Sequence, residues 1–264
     1  MKIWVNTIVH NEENFIWFAI MSVVDFVDKV LIYDTGSNDK TIKIIKEIQK
    51  IKGKKIEFKE IGVVDRNQFT KVRQEMLDCS DCDWILIVDG DEIWWQNSIK
   101  KVIEKINKKG KKLDGIVVPT ILPVGDIYHI QEDIAGKYEI LGRRGHFNLR
   151  AINKKISGLH VSGAYPLEGY RDSDERLIQE SNRTTFVNTP YLHVTHLTRS
   201  SVKRSFDKYK YELGDSVSKN FKYPEVLYKN YPPFIKSPWT RISGMSLVKS
   251  KLLTPLRKIK RRLR

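Results

Sequence analysis

Apolar residues along this chain come in short unbroken runs, separated by longer stretches with helical periodicity. Lys2 to Val9, Lys29 to Tyr33, Lys55 to Ile61 and Trp84 to Val88 read as strands, rich in Ile, Val and aromatic residues. The last run, Trp84-Ile85-Leu86-Ile87-Val88, has no polar alternation, which predicts a strand covered on both faces, as in a parallel sheet. Between the runs, Phe15, Ala19, Ser22/Val23 and Phe26 recur at helical spacing after Asn11, a residue able to cap a helix. Ile44, Ile45 and Ile48 mark a second helix, and Asn67 to Asp81 a third. Strands alternating with helices predict an α/β class with a doubly wound, mainly parallel sheet. Ligands of such sheets bind outside the carboxyl ends of the strands.

At one of those ends stands Asp89-Gly90-Asp91-Glu92. Two carboxylates one residue apart at a strand tip suit a hard cation such as Mg²⁺ or Mn²⁺, which shares its remaining positions with phosphate oxygens. Gly90 is expected to allow the tight turn between them. Asp and Gly also make ordinary surface turns, so the tetrad alone does not choose between site and turn. The segment Asp34 to Thr41 reads in the same double way, as a turn in which Asp39 caps the next helix. A second triplet, Asp172-Ser173-Asp174, follows no apolar run. Asp172 and Glu175 have capping-box spacing ahead of Leu177 and Ile178, which predicts a helix start.

Four segments occur in one order: Asn6-Thr7-Ile8-Val9-His10-Asn11-Glu12-Glu13, Tyr33 through Thr41, Arg73, and Asp89 through Glu92. Together they resemble an inverting family 2 glycosyltransferase with the GT-A fold, nearest the branch of lipopolysaccharide core glucosyltransferases. The likeness is close over the first part of the chain and loose after it. It implies a nucleotide-diphosphate sugar donor, with a UDP-sugar favoured, and a hydroxyl acceptor on a glycan or lipid-linked glycan. It implies Asp34 near the nucleotide base, Arg73 facing the nucleotide, and Asp89 and Asp91 on Mn²⁺ or Mg²⁺, with Asp91 also catalytic. The stretch Tyr191 to Ser200 fits a late family strand ending in a histidine, which makes His196 the candidate third metal or diphosphate contact. Strand alternation then turns His193, three residues earlier, to the opposite face. Inversion needs a general base for the acceptor hydroxyl. The related branch has a His-Glu pair where this chain has His160 and Val161, so the base is sought elsewhere. Glu168 ranks first, ahead of Glu132 and Asp133.

With 264 residues and a formal charge of +15, the chain has room for a GT-A domain over residues 1–198, divided into a nucleotide-binding half, 1–92, and an acceptor-side half, 93–198. A helical extension is expected over 199–246, where Val202, Phe206, Tyr209 and Leu213 form a stripe, and a basic amphipathic tail over 247–264. That tail holds eight Lys or Arg and no acid, with Leu256, Ile259 and Leu263 on one face, so an anionic membrane surface is its expected partner. No run is long enough to span a bilayer and the first residues do not form a secretion signal, which reads as a cytoplasmic, peripheral protein. Cys79 and Cys82 lack the second pair a structural zinc site needs and are expected to be reduced thiols. The sequon Asn182-Arg183-Thr184 is expected to be silent.

Two other classes share some of these features. Asp-Gly-Asp at a strand end also occurs in TOPRIM nucleic-acid enzymes, and a basic chain suits nucleic acid. The separate strand-end glutamate of that fold is missing, and the lysines lie on helix faces and the tail, which argues against a nucleic-acid partner. A sugar-nucleotide-binding scaffold without turnover is the third reading, kept open by Val161.

Overall fold

The computed structural model describes residues 1–202 and 210–263. The chain opens with β1 (Ile3–Val9), α1 (Ile16–Val23), β2 (Lys29–Asp34), α2 (Thr41–Lys52), β3 (Ile56–Glu60), α3 (Arg66–Cys79) and β4 (Trp84–Ile87). These strands pair in parallel in the order β3-β2-β1-β4. Every residue of β1 and β4 is buried, as runs without polar alternation require. Successive side chains supply opposite faces. Val30 and Ile32 of β2 join the large cluster that also holds residues of α1 and α2, while Leu31 and Tyr33 meet Ile8, Val72 and Met76 on the α3 side. Helix α3 starts from a full capping box, Asp65 accepting from the backbone of Gln68 while the Gln68 side chain accepts from that of Asp65.

After β4 come β5 (Glu92–Trp94), α4 (Gln96–Lys109), β6 (Gly115–Ile121), β7 (Pro123–Val124), β8 (Asp126–Ile130), β9 (Tyr138–Ile140), β10 (Arg143–Gly145) and β11 (Phe147–Asn153). The chain continues through β12 (His160–Ser162), β13 (Gly169–Arg171), β14 (Thr184–Phe186), β15 (Tyr191–His193), β16 (Asp215–Ser216) and α5 (Gly244–Arg262). Among the described residues, nine strands form one sheet, with β11 antiparallel between β4 and β6, and β5 antiparallel to β15. Its other pairings are parallel, so the fold is α/β with a mixed, mostly parallel sheet. Trp94 and Tyr191 stack across β5 and β15 with ring centroids 5.1 Å apart, anchoring the late strand against the segment that follows Asp91.

Several local expectations change. Asn11 does not cap α1, which begins at Ile16; it sits at φ 54° and accepts a hydrogen bond from the Asn38 N–H instead. No helix starts at Asp172. Its Oδ1 accepts from the N–H groups of Asp174 and Arg176, closing a turn, and one 3₁₀ turn at Ile178–Glu180 is all that follows. The described residues of 210–243 form β16 and a 3₁₀ turn, Glu225–Tyr228, rather than α-helices. Of the expected stripe there, Phe206 and Tyr209 lie outside the described residues. Cys79 and Cys82 are free thiols, and burial pushes the Cys82 thiol up to about 11, which keeps it unreactive. No helix among the described residues is long and apolar enough to cross a membrane.

Candidate active site at the strand tips

The loops leaving β1 and β2 are laced together by backbone and hydroxyl groups. Val9 O accepts from both the Thr35 N–H and the Thr35 hydroxyl, the Asn11 N–H donates to Ser37 Oγ at 2.8 Å, and the Glu12 N–H donates to Thr41 Oγ1 at 2.8 Å. A third segment, 198–201, closes on them. The Asn14 side chain donates to Thr198 O, the Ser200 hydroxyl to Asp39 Oδ2, and the Ser201 N–H to Glu13 Oε1. Asp39 also takes the Thr41 N–H on Oδ1, but the N-cap position of α2 is Lys40, so Asp39 ties the start of the helix to segment 198–201 rather than capping it. Asp34 divides its carboxylate between two tasks. Oδ1 accepts from the N–H groups of Gly36 and Ser37, and buried Oδ2 has no hydrogen-bond partner among the described residues.

Asp89 and Asp91 stand at the next strand tip, each compensated by cations from distant parts of the chain. Asp89 lies 3.5 Å from Arg73 Nη2 of α3 and 3.7 Å from Arg150 Nη2 of β11. Asp91 Oδ2 accepts from Arg199 Nη1 at 2.7 Å, and that nitrogen also reaches Glu12 Oε1 at 2.8 Å. Glu92 is fully buried against Arg150. Burial, opposed by Arg150 and reinforced by the neighbouring Asp89, pushes the Glu92 carboxyl up to about 7. Gly90 owes its place to a close approach. A Cβ there would lie 2.8 Å from Glu12 Cγ and 3.0 Å from Val9 Cγ1, so the absent side chain lets the β1 loop press against the tetrad.

The structure brings Asp34, Arg73, Asp89, Asp91 and Glu168 to this same edge of the sheet. Arg73 links two of the others, its Nε 3.4 Å from Glu168 Oε1. Glu168 Oε2 is buried without a hydrogen-bond partner among the described residues. The two histidines fall differently from the alternation argument. Strand β15 ends at His193, and the chain then turns, with the Val194 N–H donating to Asp91 O. Alternation therefore does not carry through to His196, whose Nε2 lies 2.9 Å from Lys210 Nζ. His193 Nε2 is 3.4 Å from Asp91 Oδ2. Burial works against a charged His193 ring, but the Asp91 carboxylate outweighs it and raises its pKa. His160, without a glutamate next in chain, meets Glu175 Oε1 at 3.2 Å instead. Glu132 holds Arg261 at 3.1 Å; Glu12 and Glu92 lay within the quoted motifs without a role, His193 was expected on the opposite face, and Arg150 and Arg199 were given no role, yet all five meet at this edge.

Among the described residues, no group of three or more His, Cys, Asp or Glu is arranged as a metal cage. The donor set of Asp89 and Asp91 instead fits a cation held by one or two carboxylates, its own waters and a ligand's phosphates.

A sequence profile of the family described as Glycosyl transferase family 2 matches residues 4–165, more than half of the chain. The chain belongs to that family. The matched stretch contains every element that carries Asp34, Arg73, Asp89 and Asp91, and membership removes the TOPRIM alternative. Comparison with curated proteins finds no match. Among solved structures, S. aureus TarS is similar with a TM-score of 0.51 at 16% identity, over 74% of this chain and 37% of that one. TarS 1-349 in complex with UDP-GlcNAc gives 0.50 at 15% identity, over 78% of this chain and 62% of that one. Glucosyl-3-phosphoglycerate synthase from Mycobacterium tuberculosis, in complex with Mn²⁺ and UDP-glucose, gives 0.46 at 15% identity, over 73% and 71%. The chain thus spans 37% and 62% of the two TarS chains, less than two thirds of each, and these two likenesses concern the fold.

Proposed function

We propose that this protein transfers a sugar from a nucleotide-diphosphate sugar, with UDP as the favoured nucleotide, to a hydroxyl acceptor with inversion at the anomeric carbon. The observation that carries this reading is the convergence of Asp34, Arg73, Asp89, Asp91 and Glu168 on one sheet edge in a family 2 chain. Asp34 keeps one buried carboxylate oxygen without a partner among the described residues, and an ionised carboxylate accepts only, so it suits an imide or amino hydrogen of the base. Asp89 and Asp91 would hold Mn²⁺ or Mg²⁺, which when bound offsets charge on the departing diphosphate. His193, beside Asp91, is better situated than His196 to orient that carboxylate. Arg73 and Arg199 supply planar guanidinium groups suited to phosphate oxygens. Glu168, with one oxygen on Arg73 and the other without a partner among the described residues, is the base in this reading.

The acceptor is taken to be a glycan or lipid-linked glycan at the cytoplasmic face of a membrane, with 247–264 as the attachment and the lipopolysaccharide core branch as the nearest relatives. A cavity of about 260 Å³, lined by Asn14, Asp126, Thr198, Lys236 and Arg241, adjoins Arg199 through Thr198 and is the candidate seat for that acceptor. Calorimetry with UDP and Mn²⁺, with parallel donor-hydrolysis assays, tests the donor half of the reading. Asp34→Ala and Arg73→Ala should each weaken UDP about tenfold or more, the scale of one lost charge-assisted hydrogen bond. Glu168→Gln should keep UDP affinity and lose turnover by roughly 10²–10⁴. Wild-type UDP affinity in both donor-side variants would remove the nucleotide assignment, and unchanged turnover in Glu168→Gln would remove the base.

A further inference from the structure

Helix α5 is amphipathic in the opposite sense to a helix that packs on a core. Its polar side faces the protein. Ser250 is fully buried, and the Leu213 N–H donates to Thr254 Oγ1 at 2.8 Å. Arg261 forks onto both oxygens of Glu212 at 2.6 Å and reaches Glu132 at 3.1 Å, and Lys258 pairs with Asp215 at 2.6 Å. Met245, Val248, Leu252, Leu256, Ile259 and Leu263 face outward, between 52% and 83% exposed. At ~100° per residue these six fall within an arc of about 80°, opposite Ser250. Lys249 and Lys260 run along one border of the row and Lys251 and Arg262 along the other, with no acid anywhere from 244 to 264.

A continuous apolar row on an ordered helix is a surface that expects a partner. The borders say which one: long cationic side chains flanking a narrow apolar face match phosphate head groups above acyl chains, where the stems lie along the apolar layer and the charges reach outward. We propose that α5 is an in-plane membrane-surface helix, clamped to the body by its polar side and inserting the Met245–Leu263 row into the head-group boundary of an anionic bilayer. This deepens the membrane element of the proposed function: attachment resides in the apolar row, and the cations tune it. The clamps through Glu212, Glu132 and Asp215 hold the body in one orientation on the surface.

The test uses the full chain without nucleotide sugar, so that it stands apart from glycosyl transfer. Co-sedimentation is measured with vesicles of phosphatidylcholine mixed with phosphatidylglycerol, and of phosphatidylcholine alone, at low and high salt. The Leu252→Ser/Leu256→Ser/Ile259→Ser variant should lose about tenfold or more of its pelleting at both salt levels, with its thermal melt unchanged. Replacing Lys249, Lys251, Lys260 and Arg262 by Gln should weaken binding mainly at low salt and leave a salt-resistant fraction. Wild-type pelleting by the triple Ser variant, or absence of pelleting by the wild type, overturns the proposal. It is equally overturned if the wild type is a dimer in solution that the triple Ser variant converts to a monomer, since a second copy would then cover the row.

Discussion

Asp89-Gly90-Asp91 and Asp172-Ser173-Asp174 share one pattern, an acid, a small residue and an acid, yet they become different things. The first ends a fully buried strand, and its carboxylates meet Arg73, Arg150, Arg199 and His193 from four other parts of the chain. The second lies on the surface, where Asp172 accepts from backbone two and four residues on and Arg171 bonds the Glu175 carbonyl. A short acidic motif therefore acquires chemistry from its position on the sheet. Local hydrogen bonds satisfy the exposed triplet, whereas the carboxylates of the strand-tip triplet meet cations from distant parts of the chain.

Mutation can break that contrast, and the largest effect belongs to the carboxylate itself. Asp91→Asn should lower transfer by roughly 10²–10³ if the proposed function holds, because one anionic ligand for the cation that would offset the diphosphate charge is lost. Asp172→Asn should transfer at the wild-type rate in the same steady-state assay. If both variants lose activity together, the two triplets are not functionally distinct.

The compensating cations come next. Arg150→Ala leaves Glu92 buried without its partner, and denaturant unfolding should show a loss of about 3 kcal/mol. Arg171→Ala, beside the exposed triplet, should stay within about 0.5 kcal/mol of wild type. A smaller separation is expected at the central residues. Gly90→Ala forces a Cβ against Glu12 and Val9 and should cost about 1–3 kcal/mol in the same measurement, while Ser173→Ala should be near neutral. The smallest effect sharpens the turn assignment: Asp172→Ala removes an acceptor of two backbone N–H groups, and the melting temperature should report about 1 kcal/mol.

How much of the site could be read in advance follows the range of the forces involved. Asp89 and Asp91 were legible because a strand run announces its own end, and an acid at that end lies at the sheet edge. Arg150 was not legible, since it lies 58 residues from Glu92 and nothing local distinguishes it from a surface arginine; Arg199 fell within the late family stretch, but its reach to Asp91, 108 residues earlier, was not legible. The histidines fail for a related reason. Alternation holds only while the strand lasts, and where β15 stops depends on its pairing with β5 rather than on its own residues.

Hydrophobic periodicity, by itself, determined the alternation of strands and helices, the burial of β1 and β4 on both faces, and the amphipathic character of α5, because each follows from side-chain spacing along a regular backbone. Only the tertiary structure decided which face of α5 turns inward. Periodicity gives two faces but not their sign, and here the side that turns inward is the one carrying Arg261 and Lys258, which pair with Glu212, Glu132 and Asp215. It likewise decided that Asn11 joins the second loop rather than capping a helix, since the Asn38 N–H it serves comes within reach only after β1 and β2 have paired.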